Sequence, residues 1–189
     1  MKIGVLALQG AYIEHITKLE KLKIETKEIR YNKDFDDIDG LIIPGGESTS
    51  IGKLLDEFHI KSKVYDVIKN GLPTWGTCAG MILLAKKIHG TNKTYIPLMD
   101  IEVVKNAYGR QLSSFIANQK IKGIPNDSFP MVFIRAPYIN NIEKNVEILS
   151  KVNEKIVAAK QDNILVTSFH PELTDDLRMH QYFINMINQ

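Results

Sequence analysis

"PTWGTCAGMILLAKK", residues 73–87, holds the only cysteine of the chain. Cys78 stands between Gly76 and Gly80, after a short apolar run and before an amphipathic one. A cysteine that merely fills a core needs no glycine on either side. Between a strand and a helix, G-x-Cys-x-G is the pattern of a nucleophile elbow. The turn is so tight that flanking side chains would run into neighbouring backbone, and glycine removes the collision. The pattern predicts a thiol carried above the carboxyl end of a parallel sheet, where doubly wound folds bind ligands. A helix N-terminus behind the sulfur favours the thiolate.

The chain on either side fits that reading. "KIGVLAL" and "GLIIP" are continuous apolar runs, as in strands buried on both faces, and "IETKEIRY" is a more polar strand suited to an edge. Between them "AYIEHITKLEKLK" carries Ile13, Ile16, Leu19 and Leu22 at helical spacing. "SIGKLLDEF" and "KSKVYDVIKN" read as helices, the second stopped by Gly71, and "AGMILLAKKI" as the helix after the elbow. The second half is richer in strands: "DIEVV", "FPMVFIRAP", "EKIVAAKQ" and "NILVTSFH", the last two joined by a turn at Asp162-Asn163. "DDLRMHQYFINMI" closes the chain as a helix with Met179, Phe183, Met186 and Ile187 inward. The expectation is one α/β domain over residues 1–189. It has a mostly parallel sheet, helices on both faces and an antiparallel extension.

Composition narrows the function. At 189 residues the chain can bury a full core. Its net charge of +2, with no long basic run, gives no reason to expect nucleic acid or an anionic membrane as partner. One cysteine rules out an internal disulfide and metal sites built on paired cysteines. The N-terminal apolar run is too short to span a membrane and lacks a signal-type cleavage site. A reducing, cytoplasmic setting is expected.

A cysteine nucleophile needs a proton carrier and something to orient it. Of the five histidines, His15 and His180 fall on helices, His59 ends one and His89 follows another. Each reads as a surface or helix-end residue. His170 differs, because it ends the buried run "ILVTSF" and opens "HPE". It is placed at the same sheet end as Cys78, with Glu172 two residues on to accept from the ring. On its own H-x-E is also a solvated turn; with the elbow it completes a candidate triad. "PGGES", residues 44–48, follows a buried strand, and its glycines leave a backbone N–H free to face a developing oxyanion. The Gly46 N–H and the Ala79 N–H, next after the nucleophile, are the candidate donors. The same stretch also reads as a helix start capped by Ser48 or Thr49. The lysine and spacing of a phosphate-binding loop are missing.

These pieces resemble the class I, or triad, glutamine amidotransferases. Within that family the similarity is greatest to the glutaminases that serve pyridoxal 5′-phosphate (PLP) synthase. It is carried by "LALQG", "PGGEST", "GTCAGMILLA", "NAYGRQ", "FIRAP" and the "FHPELTDD" run, from Leu6 to Phe183. The resemblance implies a Rossmann-like amidotransferase fold with Cys78, His170 and Glu172 as triad. It implies glutamine contacts from Gly46, Glu47 and Ser48, and from Arg110 and the Ile134-Arg135 segment toward the α-amino and α-carboxylate end. An arginine suits a carboxylate because its fork reaches both oxygens. Two positions depart from the family pattern: Ile116, where an acidic residue is frequent, and Lys105, where arginine is frequent.

The implied activity is hydrolysis of the glutamine side-chain amide to glutamate and ammonia through a cysteine thioester. No metal or organic cofactor is required. The implied partner is the PLP synthase subunit, PdxS, in a ring-shaped core decorated by glutaminases, with activity that waits for docking. The alternatives are a glutaminase for imidazole or purine synthesis, a DJ-1-like cysteine hydrolase, or a non-enzymatic binding module. A DJ-1-like enzyme has no use for H-P-E at the far end of the chain, and a binding module has no use for the elbow.

Overall fold

The computed structural model describes residues 1–105, 114–125 and 128–189. The first half alternates strand and helix: β1 (Lys2–Leu6), α1 (Tyr12–Lys21), β2 (Glu25–Ile29), β3 (Gly40–Ile43), α2 (Ser48–Glu57), α3 (Lys61–Lys69), β4 (Thr74–Thr77) and α4 (Ala79–Leu84). Strands then dominate: β5 (Ala85–Ile88), β6 (Met99–Val104), β7 (Ser114–Gln119), β8 (Phe129–Ile134), β9 (Tyr138–Ile142), β10 (Glu147–Val152), β11 (Lys155–Gln161) and β12 (Ile164–Thr167). A 3₁₀ turn, Pro171–Leu173, leads to α5 (Arg178–Ile187).

Among the described residues the main sheet runs β2-β1-β3-β4-β12-β11-β9-β6-β5, with β10 also on β11. From β2 to β12 every pairing is parallel. From β12 through β11 and β9 to β6 the pairings are antiparallel, the expected extension. The polar strand β2 sits at the edge, as its composition predicts. β7 and β8 form a separate antiparallel hairpin.

The apolar runs sort by strand alternation into two cores, one on each face. Leu6, Leu41, Ile43 and Val166 face the side covered by α2, α3 and α4. Ile3, Val5, Ile42, Trp75 and Leu165 face the side covered by α1 and α5, where Leu19, Met179 and Phe183 meet them. Burial on both faces is why these strands read as unbroken apolar runs.

Three expectations are corrected. The helix after the elbow ends at Leu84, and Ala85–Ile88 is a strand paired in parallel with β6. All of Ala79–Leu84 is buried, so this is a short central helix and not an amphipathic surface one. On α1, Ile13 is 59% exposed while His15 is fully buried; the inward stripe passes through His15 and Leu19. The strands β7, β9 and β10 were not expected, because their charged and polar residues, as in "YINNI" and "EILSKV", interrupt the apolar pattern.

The elbow glycines are required by space. A Cβ on Gly80 would lie 2.2 Å from the Ile43 carbonyl oxygen, and one on Gly76 would lie 2.7 Å from the Gly80 carbonyl carbon. Both obstacles are backbone and cannot rotate away. Gly80→Ala is therefore expected to lower the unfolding free energy by about 1–3 kcal/mol, measured by urea denaturation. Unchanged stability would show that β3 and α4 can separate freely.

Candidate active site

Cys78 joins β4 to α4 at φ 48° and ψ −99°, a backbone conformation sparsely populated by residues with a side chain. Its N–H donates to the Thr167 carbonyl at 2.7 Å. This bond extends the β4–β12 ladder, in which Thr77 stands beside Thr167. Two neighbouring parallel strands thus end together, and the segment following β12 is delivered to the thiol.

That segment is His170-Pro171-Glu172. The His170 N–H donates to the Val132 carbonyl on β8 at 2.8 Å. The 3₁₀ turn folds Glu172 back, so that Oε1 lies 2.6 Å from His170 Nδ1. Both residues are buried. A Cβ on Gly45 would stand 2.4 Å from His170 Cε1, so the first glycine of the "GG" pair makes room for the ring. Burial opposes a charged imidazole, but hydrogen bonds with Cys78 and Glu172, and their negative charge, outweigh it and raise the His170 pKa to about 10. With Nδ1 held by Glu172, Nε2 is the nitrogen left for Cys78.

The "PGGES" loop forms the opposite wall. The Gly45 carbonyl accepts from Ala11 N–H at 3.0 Å; across a trans peptide the Gly46 N–H points the other way. The Glu47 N–H donates to Gln9 Oε1 at 2.9 Å. The Glu47 carboxylate accepts from the N–H groups of Thr49 and Ser50, at 2.9 and 2.6 Å. The cap of α2 is therefore Glu47, in place of Ser48 or Thr49. Partial burial disfavours its charge, yet the bonds from Thr49 and Ser50 prevail and lower its pKa to about 2. Ser48 Oγ accepts from Lys105 Nζ at 3.0 Å. Together Gln9, Gly46, Glu47, Ser48, Cys78, Ile82, Lys105, Ile134, Arg135 and His170 line one cavity of about 390 Å³.

Residues 5–189 match the SNO glutamine amidotransferase family. The chain belongs to the SNO glutamine amidotransferase family. Its relatives include proteins named "Pyridoxal 5'-phosphate synthase subunit PdxT". One from Clostridium botulinum is 53% identical over 98% of this chain and 96% of its own. Another from Streptococcus pneumoniae is 51% identical over 100% of this chain and 99% of its own. A solved structure titled "Crystal structure of glutamine amidotransferase" is 41% identical, covers 99% of both chains and superposes with a TM-score of 0.93. The structure titled "Structure of PurLQS from Thermotoga maritima" shares the fold alone, at 15% identity and a TM-score of 0.73.

As an SNO-family amidotransferase the chain brings together Cys78, His170, Glu172, Gly46, Glu47, Ser48, Ile134 and Arg135, with Ala79 opening α4 beside the cysteine. Arg110 falls within 106–113, outside the described residues. Three cavity residues had no role assigned from the sequence: Gln9, Ile82 and Lys105. Gln9 stands in "LALQG", Ile82 in the apolar run of α4, and Lys105, noted only as a departure, directly follows β6, a strand of the antiparallel extension. His15 and His180 are not surface residues: both are fully buried. A raised pKa means that the imidazolium is the dominant form below its midpoint. Imidazole ¹⁵N NMR should find His170 protonated at pH 8 and titrating near 10. Glu172→Gln, which removes the anion, should move that midpoint down by one unit or more (~1–3 for a close ion pair). An unchanged midpoint would mean that Glu172 does not support the charge.

Proposed function

We propose that this chain is the glutaminase subunit of a PLP synthase, releasing ammonia from glutamine for a synthase partner. The observation that carries the reading is the 2.6 Å His170–Glu172 bond beside the elbow cysteine, in a cavity that also presents Glu47, Lys105 and Arg135. A free amino acid brings one ammonium and one carboxylate, and the cavity offers both complements. The Glu47 carboxylate receives the α-ammonium; Lys105, with Arg135 at the rim, receives the α-carboxylate. The side-chain amide then reaches toward Cys78. The names of the relatives support the assignment to PLP synthase over imidazole or purine synthesis.

In the proposed reaction Cys78 Sγ attacks the amide carbon, and the carbonyl electrons move to oxygen. The Gly46 and Ala79 N–H groups receive that oxyanion. As the tetrahedral intermediate collapses, the C–N bond breaks and His170 gives its Nε2 proton to the leaving nitrogen, since an amide anion is too poor a leaving group. Ammonia departs and a γ-glutamyl thioester remains. The sulfur now carries no charge, so one of the causes that raised the His170 pKa is gone. The ring, having given up its proton, therefore stays neutral and is free to take a proton from water at that moment. Water adds to the thioester with loss of one proton to His170, the C–S bond breaks to return the Cys78 thiolate, and the new carboxyl group gives its remaining proton to solvent as glutamate leaves. The proton taken by His170 stays with the restored Cys78–His170 pair. The synthase subunit PdxS is the proposed partner, docked so that ammonia passes on before bulk water protonates it.

Glutamate release from glutamine, with and without the PLP synthase subunit, tests this reading. Cys78→Ser should abolish release while circular dichroism shows an unchanged fold. Lys105→Met should raise KM roughly tenfold or more with kcat little altered, the signature of a lost carboxylate contact. Adding the synthase should raise kcat more than it lowers KM. Normal turnover by Cys78→Ser would end the proposal. Equal kcat with and without partner would limit docking to ammonia delivery.

A further inference from the structure

The mechanism leaves two buried imidazoles unused. His15 on α1 and His180 on α5 are fully buried, and neither lines the cavity. His15 Nδ1 lies 3.0 Å from His180 Nε2. His15 Nε2 lies 3.3 Å from Thr77 Oγ1 and 3.5 Å from Glu172 Oε2. The Trp75 indole packs edge-on against both rings, with centroids at 5.4 and 5.0 Å. Glu172 Oε2 is buried and makes no hydrogen bond within normal length among the described residues.

The tautomers follow from what each atom faces. If His15 carried its proton on Nδ1, its Nε2 lone pair would point at the carboxylate, and the proton of His180 would sit on a buried Nδ1 without an acceptor. If His15 carries its proton on Nε2, the N–H faces Thr77 and Glu172, and Nδ1 accepts from His180 Nε2–H. Only a lone pair on His180 Nδ1 is then left over, and an unpaired buried acceptor is better tolerated than an unpaired donor. The second arrangement is favoured. Both rings stay neutral: burial, followed by the charges of His180 and His170, holds the His15 pKa well below its ordinary value. Burial, helped by Lys18, lowers that of His180 to about 3.

We propose that His15 is a positioning residue for Glu172: its Nε2–H, held by His180 and Trp75, fixes the second carboxylate oxygen so that the first stays on His170. The neutral ring matters. A charged His15 would compete with His170 for the carboxylate, whereas a neutral N–H orients the anion and leaves its charge to the catalytic imidazole. The chain of contacts runs from α5 through α1 to the 3₁₀ turn, so the helices on one face of the sheet set the geometry of the triad. A purely structural role explains this poorly. On the side away from Thr77 and Glu172 the two rings pack against Trp75, next to Phe183, where apolar side chains of similar volume would pack without polar atoms to satisfy.

The inference rests on reading Cys78, His170 and Glu172 as a glutaminase triad. Its test compares wild type, His15→Leu, His15→Gln and His180→Phe. Steady-state glutaminase kinetics are measured with excess PLP synthase subunit, and the His170 titration by imidazole ¹⁵N NMR. His15→Leu should lower kcat about ten- to hundredfold, the usual cost of losing an orienting contact behind a reactive group. KM for glutamine should stay within about twofold, as expected when only the transition state is affected. The His170 midpoint should fall from about 10. His15→Gln places an amide N–H near the position of Nε2 and should restore most of kcat. His180→Phe keeps the bulk but removes the donor that fixes the His15 tautomer; it should change kcat and the midpoint in the same direction, by less. Should His15→Leu not fold, His180→Phe decides by the same two readouts. Wild-type kcat in the folded variants overturns the proposal. So does an equal loss in Leu and Gln with an unmoved His170 midpoint, because packing alone would then explain it. A wild type that releases no glutamate would instead refute the glutaminase reading, and the His170 midpoint in the variants would still decide whether His15 positions Glu172.

Discussion

Cys78 is held at φ 48°, and the rest of the catalytic face is arranged around that constraint. A side-chain-bearing residue in this region costs roughly 1–3 kcal/mol of backbone strain, so something must enforce it. Close packing does so from two sides. α4 lies so near β3 that Gly80 has no room for a Cβ, and the Cys78 N–H is tied to Thr167 at 2.7 Å. The strain is thus offset by a parallel sheet whose central strands are buried on both faces. The result is a sulfur lifted off the end of β4 toward the segment that follows β12.

The second organising feature is a buried line of polar groups in a low-dielectric interior. Cys78, His170 and Glu172, the proposed triad, form one end, and His15 and His180 the other. Such groups are costly unless paired. Here the pairing is directional: Glu172 supports a charged His170, while the two deeper imidazoles stay neutral. Charge is concentrated where the proton is needed. The opposite wall works by the same logic. Glu47 is kept ionised by the helix it caps, and in the proposed binding mode the same carboxylate also receives the substrate's ammonium.

Much of this was legible in the sequence where a residue type has one physical use. The glycines around Cys78, the H-P-E segment at the end of an apolar strand, and the "GG" pair each point to a turn, an acid–base pair and a close approach. The runs "KIGVLAL" and "GLIIP" gave both the parallel sheet and its double burial. What was not legible depended on neighbours distant in the chain. His15 looked like a helix-surface histidine because the apolar spacing of α1 could be drawn through Ile13; only the position of α5 and Trp75 turns the helix to bury it. Ala85–Ile88 continued a helical pattern, and its partner β6 decided for a strand. Lys105 could not be placed in the pocket without knowing that β6 ends opposite Ser48.

The central claim is that Cys78 bonds covalently to the glutamyl group. The most direct measurement is rapid acid quenching of the chain turning over glutamine with the synthase subunit present, followed by peptide mass spectrometry. The account predicts a γ-glutamyl adduct, labile to hydroxylamine, on the peptide containing Cys78. It should be absent from Cys78→Ser, and also from His170→Ala, which cannot protonate the leaving nitrogen. Turnover with an adduct on any other residue, or with none at any quench time, would contradict it.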